Sequence, residues 1–218
     1  MRALPPAVWQ ELQPKLVAIL RGIRPEETGG IVRGLLEAGF RAIEVPLNSP
    51  DPFRSIEIAV ETARAMHVGP CLIGAGTVLS LDDVARVAAC GANLVVSPNT
   101  DPEVIRGTVR AGLASMPGCF TATEALLALK SGAMALKFFP ASILGPDGIR
   151  AIAAVLPAGT PRVAVGGVAD GLFAKYLSAG VEGFGLGSSL YKPGDAAADV
   201  IGRGAAAVEA YRRATQAR

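Results

Sequence analysis

The sequence predicts an α/β protein, a single (β/α)8 barrel with an extra N-terminal helix, spanning residues 1–218 as one domain. Three observations lead there. Eight short apolar runs recur every 20 to 29 residues, each interval holds an amphipathic segment of helical length, and glycine repeatedly stands between such a segment and the next run. Strands alternating with helices mark a parallel sheet, and eight such units can close on themselves.

A helix expected around residues 6–13 precedes the first strand and would cover the bottom of the barrel. The strand runs are VAILR (17–21), AIEVPL (42–47), CLIGAGTV (71–78), LVVSP (94–98), ASMPG (114–118), ALKFFP (135–140), RVAVGG (162–167) and GFGLGS (183–188). After them Pro25, Asp51, Asp82, Asp101, Thr121 and Asp170 suit helix starts, by a fixed φ or by side-chain capping. Gly39, Gly91, Gly112, Gly132 and Gly180 suit helix ends, where the chain turns left-handed. The last helix is expected over residues 205–213. An open doubly wound sheet is the competing fold, but Gly183, Gly185 and Gly187 come late in the chain and lack the third glycine of a dinucleotide fingerprint.

Composition narrows the function. Half the residues are hydrophobic and 18% are charged, which argues against disorder, and no apolar run is long enough to cross a membrane. The first residues are interrupted by Pro5, Pro6, Gln10 and Glu11 and lack the apolar centre of a secretory signal, so a soluble cytoplasmic protein is expected. A formal charge of +2 without Lys/Arg clusters argues against nucleic acid and membrane partners and favours a small ligand. The lone histidine, His67, falls near a helix end, which removes Ser/His/Asp triads. Cys71, Cys90 and Cys119 form no CxxC pair and read as buried thiols.

Barrel enzymes carry their reactive groups at the C-terminal ends of strands, where this sequence offers Arg21, Glu44, Thr77, Ser97, Asn99, Lys137 and Ser188. Lys137 alternates in phase with Ala135 and Phe139; on an inward face its burial would lower the amine pKa toward that of a nucleophile. The bland alternative is a packed stem with a solvated head. Glu44, between Ile43 and Val45, is a carboxylate in an apolar strand, where proton transfer or an ion pair with Arg21 would explain it. Thr77 follows glycines that would let a ligand approach. Gly166 and Gly167 end the seventh strand, and Gly187 and Ser188 the eighth; such paired loops often hold a phosphate, although tight packing also uses glycine. With Glu44 the only strand-end carboxylate, no metal is expected.

Together AILRGI (18–23), EVPLNSP (44–50), IGAGTV (73–78), SPN (97–99), PGC (117–119), TATEA (121–125), LKFFP (136–140), VGGV (165–168) and GLGSSLY (185–191) resemble the 2-keto-3-deoxy-6-phosphogluconate and -galactonate aldolase family over nearly the whole chain. The resemblance implies a cofactor-independent class I aldolase acting on a phosphorylated keto-deoxy sugar acid, and a homotrimer. It makes Lys137 the Schiff-base lysine and Glu44 the general acid/base, with Arg21 and Thr77 on the carboxylate and Gly166, Gly167, Gly187 and Ser188 on the phosphate. Val165 stands where gluconate-type members usually carry threonine, and Asn48 where they often carry arginine. Both features favour the galactonate-derived acid, the gluconate epimer or both being the alternative. Two other readings are a sugar-phosphate isomerase or epimerase, in which Lys137 is only an electrostatic contact, and a phospho-ligand-binding protein without turnover.

Overall fold

A computed structural model describes residues 5–217. Nine parallel strands form one sheet: β1 (Leu16–Ile19), β2 (Ala42–Pro46), β3 (Leu72–Gly76), β4 (Leu94–Val96), β5 (Ala114–Met116), β6 (Gly118–Cys119), β7 (Leu136–Phe138), β8 (Arg162–Val165) and β9 (Gly183–Leu186). Their order is β5-β4-β3-β2-β1-β9-β8-β7-β6. The run expected as one strand over 114–118 is therefore two. Pro117 separates them because it has no N–H to donate, although its carbonyl still accepts from the Lys137 N–H at 3.0 Å. Since the two ends of the sheet are consecutive pieces of one extended segment, the sheet is a nearly closed barrel.

The helices are α1 (Pro5–Glu11), α2 (Pro25–Ala38), α3 (Pro52–Met66), α4 (Leu81–Ala89), α5 (Pro102–Arg110), α6 (Ala122–Lys130), α7 (Ala141–Ala153), α8 (Phe173–Ser178) and α9 (Ala197–Gln216). All five helix-ending glycines adopt positive φ, as their positions predict. Asp101 and Thr121 cap α5 and α6 with their side chains. One expected start is corrected, and two hold in position without the expected α-helical side-chain cap. Ser80, not Asp82, caps α4, accepting from the Asp83 N–H at 3.1 Å. Asp51 precedes α3 in a left-handed conformation without a side-chain cap bond. Asp170 begins a short 3-10 turn, its carboxylate accepting from the Gly171 N–H. The last helix extends well past residues 205–213 at both ends. Among the described residues, no helix is long and apolar enough to cross a membrane.

The strand pleat sorts side chains into two buried clusters. Val17, Ile19, Ala42, Leu72, Val96, Met116, Ala135, Val163 and Val165 fill the barrel, while Ala18, Ile43, Val45, Ile73, Leu136, Phe138 and Phe184 pack outward with the apolar faces of the helices. α1 closes the bottom: Val8, fully buried Trp9 and Leu12 join the inner cluster. Trp9 donates its ring N–H to Glu182 at 2.6 Å, and Lys15 caps α1 by donating to the Trp9 carbonyl at 2.8 Å. With the bottom filled by apolar side chains, the inward-facing Glu44 and Lys137 open toward the opposite end.

Candidate active site

At the C-terminal ends of the strands the barrel opens into a cavity of about 390 Å³ whose lining includes Arg21, Glu44, Lys137, Val165, Gly166, Gly167, Gly187 and Ser188. Eight of the nine residues assigned a site role from the sequence thus meet in one place, whereas the strand-end candidates Ser97, whose hydroxyl donates to the Val78 carbonyl at 2.8 Å, and Asn99 do not line it. Thr77 is outside that lining and reaches the site through Arg21, whose Nη2 donates to its hydroxyl at 3.4 Å. Its φ of +57° is strained for a β-branched residue.

Lys137 occupies the middle of β7, in register with Gly118 on one side and Val163 on the other, and points inward with Ala135 and Phe139. It is 6% exposed. Burial lowers its pKa, Glu44 opposes that shift, and Arg21 adds to it. Its Nζ lies 4.8 Å from the centre of the Phe139 ring. An amine so placed sheds its proton more easily than one in water, which suits it to act as a nucleophile.

Glu44 lies on β2 in register with Ile19 and Gly74, 2% exposed. Burial raises its pKa to about 7, with Lys137 and Arg21 pulling the other way. Its Oε2 has no hydrogen-bond partner in the protein. The ion pair with Arg21 that would have made Glu44 purely structural does not form: Arg21 Nη1 donates to Asn48 Oδ1 instead. Room for the carboxylate comes from β3, where a Cβ on Gly76 would stand 1.8 Å from Glu44 Oε2. A carboxylate with a free oxygen and a pKa near 7 can both take and return a proton.

The two glycine-rich loops converge on one side of the cavity. Gly166 and Gly167 have φ of +91° and +71°, two successive left-handed residues that a side chain would strain. Sequence reasoning confined to strand ends assigned no role to Lys192 and Ser189, which also line the cavity beyond β9, and named Asn48 without its contact to Arg21. The alternation around Lys137 did signal Phe139. Cys119 is buried and its thiol is pushed up to about 12 by burial, so it is held as a thiol; Cys71 and Cys90 are half-buried rather than buried.

The family model for KDPG and KHG aldolases matches residues 10–201. The chain is 57% identical over 200 residues to the "Probable 2-dehydro-3-deoxy-6-phosphogalactonate aldolase" of Rhizobium meliloti (strain 1021), covering 92% of each. It is 47% identical over 208 residues to the 2-dehydro-3-deoxy-6-phosphogalactonate aldolase of Escherichia coli (strain K12), covering 95% of this chain and 99% of that one. The solved "Native KDPGal structure" superposes with a TM-score of 0.90 at 46% identity, covering 94% of this chain and 97% of its own.

Proposed function

The chain belongs to the KDPG and KHG aldolase family, and we propose that it cleaves 2-dehydro-3-deoxy-6-phospho-D-galactonate to pyruvate and D-glyceraldehyde 3-phosphate as a class I aldolase. The observation that carries this reading is the pairing of a buried amine with a buried carboxylate, Lys137 and Glu44, on facing walls of one cavity. Neutral Lys137 attacks the C2 carbonyl, and loss of water leaves a protonated imine. Glu44, acting through a water, takes the C4 hydroxyl proton. The C3–C4 bond then breaks, its electron pair entering the iminium to give an enamine, and the aldehyde leaves. Protonation of the enamine at C3 and hydrolysis release pyruvate and free the amine.

In the same reading Arg21, held by Asn48 and Thr77, takes the substrate carboxylate, and the loops at Gly166–Gly167 and Gly187–Ser188 take the phosphate. Val165, the valine beside the first loop, faces the C4 hydroxyl without bonding it, which supports the galactonate epimer. The nine strands are read as a (β/α)8 barrel whose fifth strand is split at Pro117, with α1 as the extra helix. A single aldolase domain, assembly as a homotrimer and work in the cytoplasm complete the proposal.

Borohydride reduction in the presence of pyruvate is expected to add a pyruvate-derived mass to the peptide carrying Lys137, and both 6-phosphorylated epimers should be assayed for pyruvate release. Labelling at another residue, or an active enzyme that traps nothing, would sink the Schiff-base assignment. An isomerase would give no pyruvate at all.

A further inference from the structure

Lys192 lines the cavity beside the two glycine loops and has no part in the chemistry described above. It follows Ser188 by four residues, and its backbone is built in. Its N–H donates to Asp195 Oδ2 at 2.9 Å and its carbonyl accepts from the Asp195 N–H at 3.0 Å. Asp195 is ion-paired with Arg203 of α9, whose Nε also donates to the Leu190 carbonyl at 2.8 Å. On the other side the buried Tyr191 donates its hydroxyl to Glu27 of α2 at 3.1 Å, and Pro193 sits so close to Gly22 that a Cβ there would meet its ring at 2.6 Å. Lys192 itself is left exposed at the rim.

Charge decides what such a cation is for. The proposed substrate brings a carboxylate and a phosphate monoester carrying about −1.5 to −2 near neutral pH. Three cations line the cavity: Lys137 is committed to the carbonyl, and the Arg21 guanidinium is turned toward Asn48 and Thr77, away from the β8 and β9 loops. Backbone N–H groups and a serine hydroxyl can hydrogen-bond a phosphate, but neither offsets a full charge. We propose that Lys192 is the cationic half of a phosphate site whose other half is the backbone of the two glycine loops, and that it makes the enzyme select phosphorylated over unphosphorylated keto-deoxy acids. This inference rests on the aldolase reading given above.

The test compares wild type, Lys192→Met and Lys192→Arg on the 6-phosphorylated acid, on its unphosphorylated counterpart, and in pyruvate trapping. Lys192→Met is expected to lower kcat/KM for the phosphorylated acid about tenfold, chiefly through KM, the smallest effect typical of a hydrogen bond to a charged group. The loss should be confined to that substrate, restored by Lys192→Arg, and accompanied by a weaker dependence on ionic strength. An undiminished kcat/KM in Lys192→Met overturns the proposal, since the backbone would then suffice. Equal losses with the unphosphorylated acid or with pyruvate also overturn it, by assigning Lys192 to the carboxylate or to the fold. If wild type fails to trap pyruvate, it is instead the Schiff-base reading that fails.

Discussion

A methyl group at Gly76 is expected to disable the enzyme without unfolding it. Gly76 ends β3 facing the barrel interior, and its φ is not left-handed, so alanine suits the backbone. A Cβ built there stands 1.8, 2.4 and 2.5 Å from Oε2, Cδ and Oε1 of Glu44, and these are its three nearest atoms. The far end of a flexible side chain yields before a strand does, so the carboxylate must retreat by roughly 1.5 Å or more to regain van der Waals contact. A 1 Å misplacement can lower a rate about 10²-fold, and a general acid/base contributes about 10²- to 10⁴-fold in all. Gly76→Ala should therefore lower kcat by about 10²-fold or more, roughly 2.7 kcal/mol of barrel-imposed positioning, while keeping its circular dichroism and its borohydride-trapped adduct with pyruvate. The decisive assay adds Glu44→Ala and the double variant. With the carboxylate gone the new methyl displaces nothing, so the double variant should be no slower than Glu44→Ala alone. Additive losses, or a wild-type kcat in Gly76→Ala, would refute the reasoning.

In the proposed role Glu44 must be ionised to act as a base, and its pKa is raised to about 7, so kcat/KM is expected to rise with pH up to about 7 and then level; a profile unchanged in Glu44→Gln would remove Glu44 from the chemistry. The same shift bears on stability. A carboxyl whose pKa is higher folded than unfolded carries no penalty below its unfolded pKa and the full penalty above its folded one, so Glu44→Gln should gain stability relative to wild type as pH rises from about 4.5 to about 7, measured by denaturant melts. Val165→Thr offers a hydroxyl where wild type offers methyl groups, and should move the kcat/KM ratio toward the gluconate-derived epimer by about tenfold, or roughly 1.4 kcal/mol. An unmoved ratio for the two epimers would mean that Val165 does not read C4.

The parts of this site that were legible are those where local rules collide. A lysine and a glutamate inside apolar strand runs conflict with strand propensity and burial at once, and only a functional or paired role resolves the conflict. Lys192 breaks no rule where it stands, in a polar turn past the last strand. It reaches the cavity through ties that no local pattern records, from Tyr191 to Glu27 across the chain and from Asp195 to Arg203. The start of α4 is ambiguous for a related reason: Ser80 and Asp82, two residues apart, both suit an N-cap, and Ser80 takes it by accepting from the Asp83 N–H. The split of the fifth strand follows from the missing N–H of Pro117, a signal that the sequence itself carries.

The glycines of β3 are the more instructive case. Read alone, GAGTV suggests a backbone opened for a ligand, whereas Gly76 is in contact range of Glu44 and its missing side chain is the space that the carboxylate occupies. EVPLNSP and IGAGTV are therefore two halves of one device, since the carboxylate carried inward on β2 reaches the space that a side chain at Gly76, two residues beyond its register partner Gly74, would fill. The carboxylate enters a narrow space closed off from bulk solvent, which explains together why its pKa is raised by burial and why its Oε2 finds no partner in the protein. Any substitution that widens this space, or opens it to bulk solvent, should return Glu44 toward an ordinary carboxylate and weaken it in the proposed role of proton acceptor at neutral pH.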